Sequence, residues 1–273
     1  MNILFVGDVF GSAGRRIVRE HIAHVRDENR VDLTVINAEN AAGGFGLTPD
    51  IADDLFELGA DVLTTGNHVW DKRELIDYMN GAAADSPDPI KTRGRRVLRP
   101  ANFQPGLPGH GVFEGTTQSG IAYAVVNLMG RVFMSNTNDP FTAANGILTG
   151  IEARSGAKVI LVDFHAEATS EKVAMGWHLD GRVTAVLGTH THIPTADQRV
   201  LPGGTAYQTD VGMSGPYDSV IGVDKDMVLK KFLTGMPSKF EAAKGNPKMC
   251  AALVTCDPAT GRASAIQRIM LGE

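Results

Sequence analysis

The sequence predicts an α/β fold organised on parallel strands, and three observations carry that expectation. Over Met1–Asn80, short apolar runs alternate with segments of helical period, a β-loop-α rhythm. Consecutive runs each end in a polar cluster: Asp8, then Glu39-Asn40, then Asn67-His68. A later apolar run, Arg182–Leu187, leads into Gly188-Thr189-His190-Thr191-His192. Parallel strands bring their carboxyl ends to one edge, where open α/β sheets hold their ligands. Helix capping explains any one of these clusters, but not their recurrence at successive strand ends.

Asn2–Val6 reads as a buried strand closing on the glycine-flanked turn Gly7–Gly11. Gly14–Asn29 has Ile17, Val18, Ile22 and Val25 at helical spacing. Leu33–Ile36 is a second strand, and Thr48-Pro49 supplies an N-cap and first-turn proline for a helix over Asp50–Leu58. Asp61–Thr65 is the third strand, and Asp71 with Glu74 predicts a capping box for the following helix. Gly81–Pro89 is rich in breakers, and Lys91, Arg93, Arg95, Arg96 and Arg99 follow. This basic insertion, over about 81–97, is expected as a solvated excursion, with a flap that attracts phosphorylated substrate as the functional reading. Ile121–Asn127, Lys158–Asp163 and Thr205–Thr209 read as strands, Phe141–Arg154 and Thr169–Leu179 as helices. Met249–Thr255 and Ala263–Leu271 read as an antiparallel closing pair. With no repeat, low-complexity tract or linker, 1–273 is expected to be a single domain.

A formal charge of −5 argues against a dedicated binder of nucleic-acid backbone, so no stable nucleic-acid binding is expected. No apolar run reaches transmembrane length and nothing resembles a signal peptide. Cys250 and Cys256 lack metal-motif spacing. A cytoplasmic protein with reduced thiols and no membrane partner is the expectation.

In an extended segment residues two apart share a side, so His190 and His192 direct two imidazoles toward one point. His165 follows the Lys158–Asp163 strand as a further strand-end donor. Asp8, Glu39, Asn40, Asn67, His68, His165, His190 and His192 form an oxygen and nitrogen set without sulfur. Such a set suits Mn, Fe, Co or Zn. These are too many donors for one ion, and a carboxylate such as Glu39 bridges two. Two ions about 3.5–4 Å apart activate a bridging hydroxide and clamp phosphoryl oxygens during in-line displacement. The chain has neither a G-x-S-x-G elbow nor a Walker A loop.

Gly7-Asp8-Val9-Phe10-Gly11, Asn37-Ala38-Glu39-Asn40-Ala41-Ala42, Thr65-Gly66-Asn67-His68, Asp163–Glu171 and Gly188–His192 resemble, in that order, the motifs of the calcineurin-like metallophosphoesterases. The longer strings resemble the YmdB-like bacterial branch, which is linked to 2′,3′-cyclic-nucleotide phosphodiesterase activity. The resemblance implies a four-layer αββα sandwich, two mixed β-sheets flanked by helices, with metals at the carboxyl-end edge. It implies two metal ions per chain, and an oxygen donor from Asn40 in place of an imidazole would favour Fe or Mn, with Zn possible. One would take Asp8, Glu39 and His192; the other Glu39, Asn67, His165 and His190. His68 matches a non-ligand histidine that protonates the leaving oxygen. Phe10 stands where other superfamily members carry a histidine, and Asn40 is the natural replacement donor. The expected substrate is a 2′,3′-cyclic nucleotide or related small phosphodiester. A phosphomonoesterase or phosphoprotein phosphatase using the same centre is the enzymatic alternative. A nucleotide- or RNA-binding regulator with little turnover is the alternative outside enzymes. No residue is assigned to the base or sugar, and homo-oligomerisation stays open.

Overall fold

The computed structural model describes residues 1–81, 92–237 and 239–272. It consists of two mixed sheets packed face to face, with helices on both outer sides. Strands are numbered in chain order. In the first sheet β1 (Asn2–Val6), β2 (Leu33–Asn37), β3 (Val62–Thr64) and β4 (Val97–Leu98) run parallel in that order. β12 (Pro247–Cys256) pairs antiparallel with β1, with the short β11 (Gly215–Pro216) and with β13 (Ala263–Gly272). The second sheet has the order β5 (Val112–Thr116), β6 (Ala122–Met129), β7 (Val159–His165), β8 (Ala185–Thr189), β10 (Ala206–Gln208) and β9 (Arg199–Val200). It is parallel from β6 through β10 and antiparallel at both edges.

Side-chain alternation builds the layers. Along β1, Leu4 and Val6 pack with α1 (Gly11–Glu28), α2 (Pro49–Glu57) and α3 (Arg73–Asn80), while Ile3 and Phe5 meet Val125, Leu161 and Leu187 of the second sheet. Val126, Leu128, Ile160 and Val162 face outward from the second sheet onto α4 (Pro140–Arg154) and α5 (Thr169–Leu179). Each central strand is buried on both faces, so a one-residue slip would exchange the two cores, and the register is fixed. The parallel strands of both sheets end along one rim. α6 (Lys225–Thr234) follows β11.

Local chemistry explains most boundaries. Thr48 Oγ1 accepts from the Ile51 amide ahead of α2, and the Asp139 carboxylate accepts from the Phe141 and Thr142 amides ahead of α4. Three expectations are corrected. α1 begins at Gly11 rather than Gly14, because Gly11 adopts a φ of +58° and turns directly out of the loop. Asp71 caps nothing; the N-cap of α3 is Lys72, without a side-chain bond. The basic insertion is not a solvated excursion where it is described. Arg93 pairs with Asp53 and Glu57 at 3.0 and 3.7 Å, and Arg96 lies 4.5 Å over the Phe56 ring. Arg99 is buried, and its guanidinium donates to the carbonyls of Pro100 and Pro108. These arginines brace the edge of the first sheet. Lys91 and the rest of 82–91 lie outside the described residues. Both cysteines are free and buried. Among the described residues no helix is long and apolar enough to cross a membrane.

Candidate metal centre

The strand-end residues converge in two overlapping groups. Donor atoms of Glu39, His165 and His190 lie within 4.8 Å of one another, as do those of Asp8, Glu39 and His192. Glu39 belongs to both and is buried, as are Asp8, His165 and His192. Asn67 joins the first group, its Oδ1 3.0 Å from His165 Nε2. Asn40 lies against the second. Its amide nitrogen sits 3.1 Å from His192 Nε2 and donates to Glu39 Oε1, and a half-turn of the amide brings the oxygen there instead. His68 belongs to neither group.

Two geometric expectations change. His165 is the last residue of β7, still within the strand and fully buried. His190 and His192 do not share a point through strand alternation. β8 ends at Thr189, and the two histidines take left-handed backbone angles, φ +99° and +67°. The turn delivers one imidazole to each group. Such angles persist in non-glycine residues only where the surroundings over-determine them. Here the surroundings centre on Asp210, which the sequence reading passes over. Its Oδ2 accepts from the Thr191 amide at 3.1 Å and the Thr191 hydroxyl at 2.8 Å, and its Oδ1 accepts from the Gly212 amide. Fully buried Lys172 donates to Asp210 Oδ2 and to the Thr189 carbonyl, both at 2.6 Å.

Outer partners also fix which ring nitrogens face inward. Thr189 Oγ1 donates to the buried Asp163 carboxylate at 2.7 Å and so accepts from His165 Nδ1 at 2.9 Å, turning Nε2 toward the centre. His192 Nδ1 donates to the Ile221 carbonyl at 2.8 Å, and its Nε2 faces Asn40 and the second group. His190 presents Nδ1 to the centre, while its Nε2 lies 3.2 Å from Glu167. Gly66 permits the convergence, since a Cβ there would stand 2.3 Å from both Glu39 Oε2 and His165 Nε2.

This donor set fits cations. His165 Nε2 has Glu39 Oε1, Asn67 Oδ1 and His190 Nδ1 within 3.0–3.2 Å, more acceptors than one N–H can serve. Asp8 Oδ1 is buried without a hydrogen-bond partner. Protonation follows the same logic. Burial pushes the Asp8 carboxyl up to about 7, against the pull of His192 and His165. Burial opposes charge on Glu39 and His165 as well, yet their pairing wins, holding Glu39 down to about 2 and raising His165 to about 9. Burial and the His165 charge lower His190 to about 3. Without a cation, protons therefore occupy Asp8 below pH 7 and His165 below pH 9. A cation held by these residues would have to displace both, so Mn²⁺ affinity is expected to rise with pH through this window and binding at pH 6 to release protons. Calorimetric titration with Mn²⁺ in buffers of different ionisation enthalpy reads that release directly; a pH-independent affinity would refute the ligand set.

Beside both groups opens a cavity of about 400 Å³, lined by the polar Glu39, Asn40, His190 and His192 and by the apolar Phe10, Phe45, Ile221 and Val223. His68 and Glu167 also line it. His68 Nδ1 lies 2.9 Å from Asp71 Oδ2, which fixes the ring. Asp71 and Glu167 are thus further site residues that sequence reasoning did not assign. Phe10, at the position of the missing histidine, is buried and meets the His192 ring edge-on at 5.6 Å.

Comparison with known proteins agrees with this architecture. A sequence model described as "YmdB-like protein" matches residues 4–269. The chain is 44% identical over 273 residues to the 2′,3′-cyclic-nucleotide 2′-phosphodiesterase of Bacillus subtilis (strain 168), covering 100% of this chain and 98% of that protein. A crystal structure of a hypothetical protein from Thermus thermophilus superposes with a TM-score of 0.88 at 42% identity, covering 100% of both chains. That of a novel phosphatase from Mycoplasma pneumoniae superposes with a TM-score of 0.89 at 32% identity, covering 100% of this chain and 93% of that one. The chain is a member of the YmdB-like family, with the two-sheet fold of the metallophosphoesterases.

Proposed function

We propose that the chain is a metal-dependent phosphodiesterase acting on 2′,3′-cyclic nucleotides or related small phosphodiesters, with 1–273 forming one domain around the site. The observation that carries this reading is two carboxylate–imidazole groups sharing Glu39, open to the same cavity as the His68–Asp71 pair. One cation would be held by Asp8, Glu39 and His192, with Asn40 contributing its amide oxygen. The other would be held by Glu39, Asn67, His165 and His190. Oxygen and imidazole donors without sulfur suit Fe or Mn, with Zn also accommodated. Two such ions, when bound, would supply Lewis-acid stabilisation of phosphoryl charge and would acidify a nucleophilic water.

The protein's own groups do the rest. Asp163, through Thr189, and the Lys172–Asp210 pair hold the histidines in place before substrate arrives. Asp71 holds His68 by Nδ1, leaving Nε2 to deliver a proton to the departing ribose oxygen, which would otherwise leave as an alkoxide. A regulator that only binds has no use for that pair. The phosphatase neighbour from Mycoplasma pneumoniae favours a second reading, phosphomonoester hydrolysis at the same centre. A panel of cyclic nucleotides, linear dinucleotides and monoesters, assayed with Mn²⁺ and with Fe²⁺, separates the two. Cyclic diesters are expected to turn over fastest; a simple monoester turning over faster than any cyclic diester would favour the phosphatase reading.

A further inference from the structure

The proposed function engages the polar residues that line the cavity and leaves its apolar residues without a role. Phe45 and Ile221, which line it, are 40% and 49% exposed, and Val223, which also lines it, is buried. Single exposed apolar residues are ordinary on a protein surface, but these two are held in place by specific means. Ile221 has a φ of +47°, a left-handed angle that a β-branched residue adopts only under constraint. Its carbonyl accepts from His192 Nδ1, so the residue that orients a candidate ligand also presents an aliphatic side chain to the cavity. Phe45 lies between Gly44 and Gly46, both at positive φ, and its ring meets His68 edge-on at 5.1 Å.

Phe10 ties the two loops together. A Cβ at Gly44 or at Gly222 would come within 2.8 Å of the Phe10 ring, so this ring fills the space between the glycine before Phe45 and the glycine after Ile221. An imidazole ligand at position 10 would leave that brace unmade. The missing histidine and the apolar wall are therefore one feature.

We propose that Phe45 and Ile221 form a nucleobase subsite, with Phe45 as the stacking platform and Phe10 as the positioning residue beneath. This rests on the phosphodiesterase reading above. A phosphodiester bound at the ligand groups projects its remaining substituent into the cavity, and a planar heteroaromatic base gains from contact with an aromatic face whatever its sequence of ring atoms. A sugar alone would leave the wall wet. The subsite thus selects nucleoside phosphodiesters over base-free ones and favours purines, which offer more stacking area.

The test compares adenosine 2′,3′-cyclic phosphate with glycerol 1,2-cyclic phosphate as substrates of the Mn²⁺-loaded full chain, and adenosine 3′-monophosphate with glycerol phosphate as ligands in calorimetry. The wild type should prefer the adenosine compound in both kcat/KM and Kd. Phe45→Ala should cut that preference by about ten-fold or more, mainly through KM, and Phe45→Trp should restore it. An unchanged adenosine-to-glycerol ratio in Phe45→Ala would overturn the subsite. If the wild type opened neither cyclic ester, the reaction reading would fail while the ratio of dissociation constants still decided the subsite.

Discussion

Replacing His68 by alanine lowers kcat by roughly 10²–10⁴ and leaves the metal content of the protein unchanged. The expectation follows from position. His68 lines the cavity yet lies outside both ligand groups, and its Nδ1 is engaged by Asp71. On the proposed reading, removing the ring deletes a proton donor but no metal donor. Asp71→Asn should show a smaller loss of kcat, because the ring stays present but is oriented less firmly. Steady-state kinetics combined with elemental analysis of the same preparations checks both variants. Loss of a metal ion from His68→Ala would show the role to be misassigned.

Lys172→Met destabilises the protein by roughly 3–5 kcal/mol, an apparent Tm decrease on the order of 10 °C. Lys172 is fully buried, and its ammonium is the only cationic partner at the buried Asp210 carboxylate among the described residues. Methionine replaces the volume but leaves that carboxylate buried without a counter-charge, a far larger penalty than losing a surface ion pair. Asp210 also anchors the Thr191 amide and hydroxyl, so the turn that carries His190 and His192 loosens with it. Scanning calorimetry and Mn²⁺ titration of the variant should therefore show lower Tm together with weaker metal binding. An unchanged Tm would mean that the pair contributes nothing net to the fold.

The sequence made the scaffold legible because its signals are local. Apolar runs ending in Asp8, Glu39, Asn67 and His165 mark the strands whose carboxyl ends meet, and the structure brings all four residues together with His190 and His192. What stayed hidden depends on contacts distant in the chain. Asp71 and Glu74 satisfy a capping pattern, but Asp71 finds His68 three residues before it instead. The H-x-H spacing suggests strand alternation, whereas tertiary bonds to Asp210 force both histidines into left-handed angles that favour glycine. Lys172 carried a readable signal. It shares a helical stripe with the buried Met175, Gly176 and Leu179, and a charge on such a stripe needs a buried partner. The two-residue strands β4, β9 and β11 carry too little pattern to be read, and on α6 only Val228 is buried, so no apolar stripe announces it.

Glu39 carries the central claim, since this single carboxylate is assigned to both cations. Elemental analysis of Mn²⁺-saturated, gel-filtered protein should find close to two ions per chain in the wild type, and Glu39→Gln should lose both together. One ion or none in the well-folded wild type, or two ions retained in Glu39→Gln, would contradict a two-metal centre bridged by Glu39.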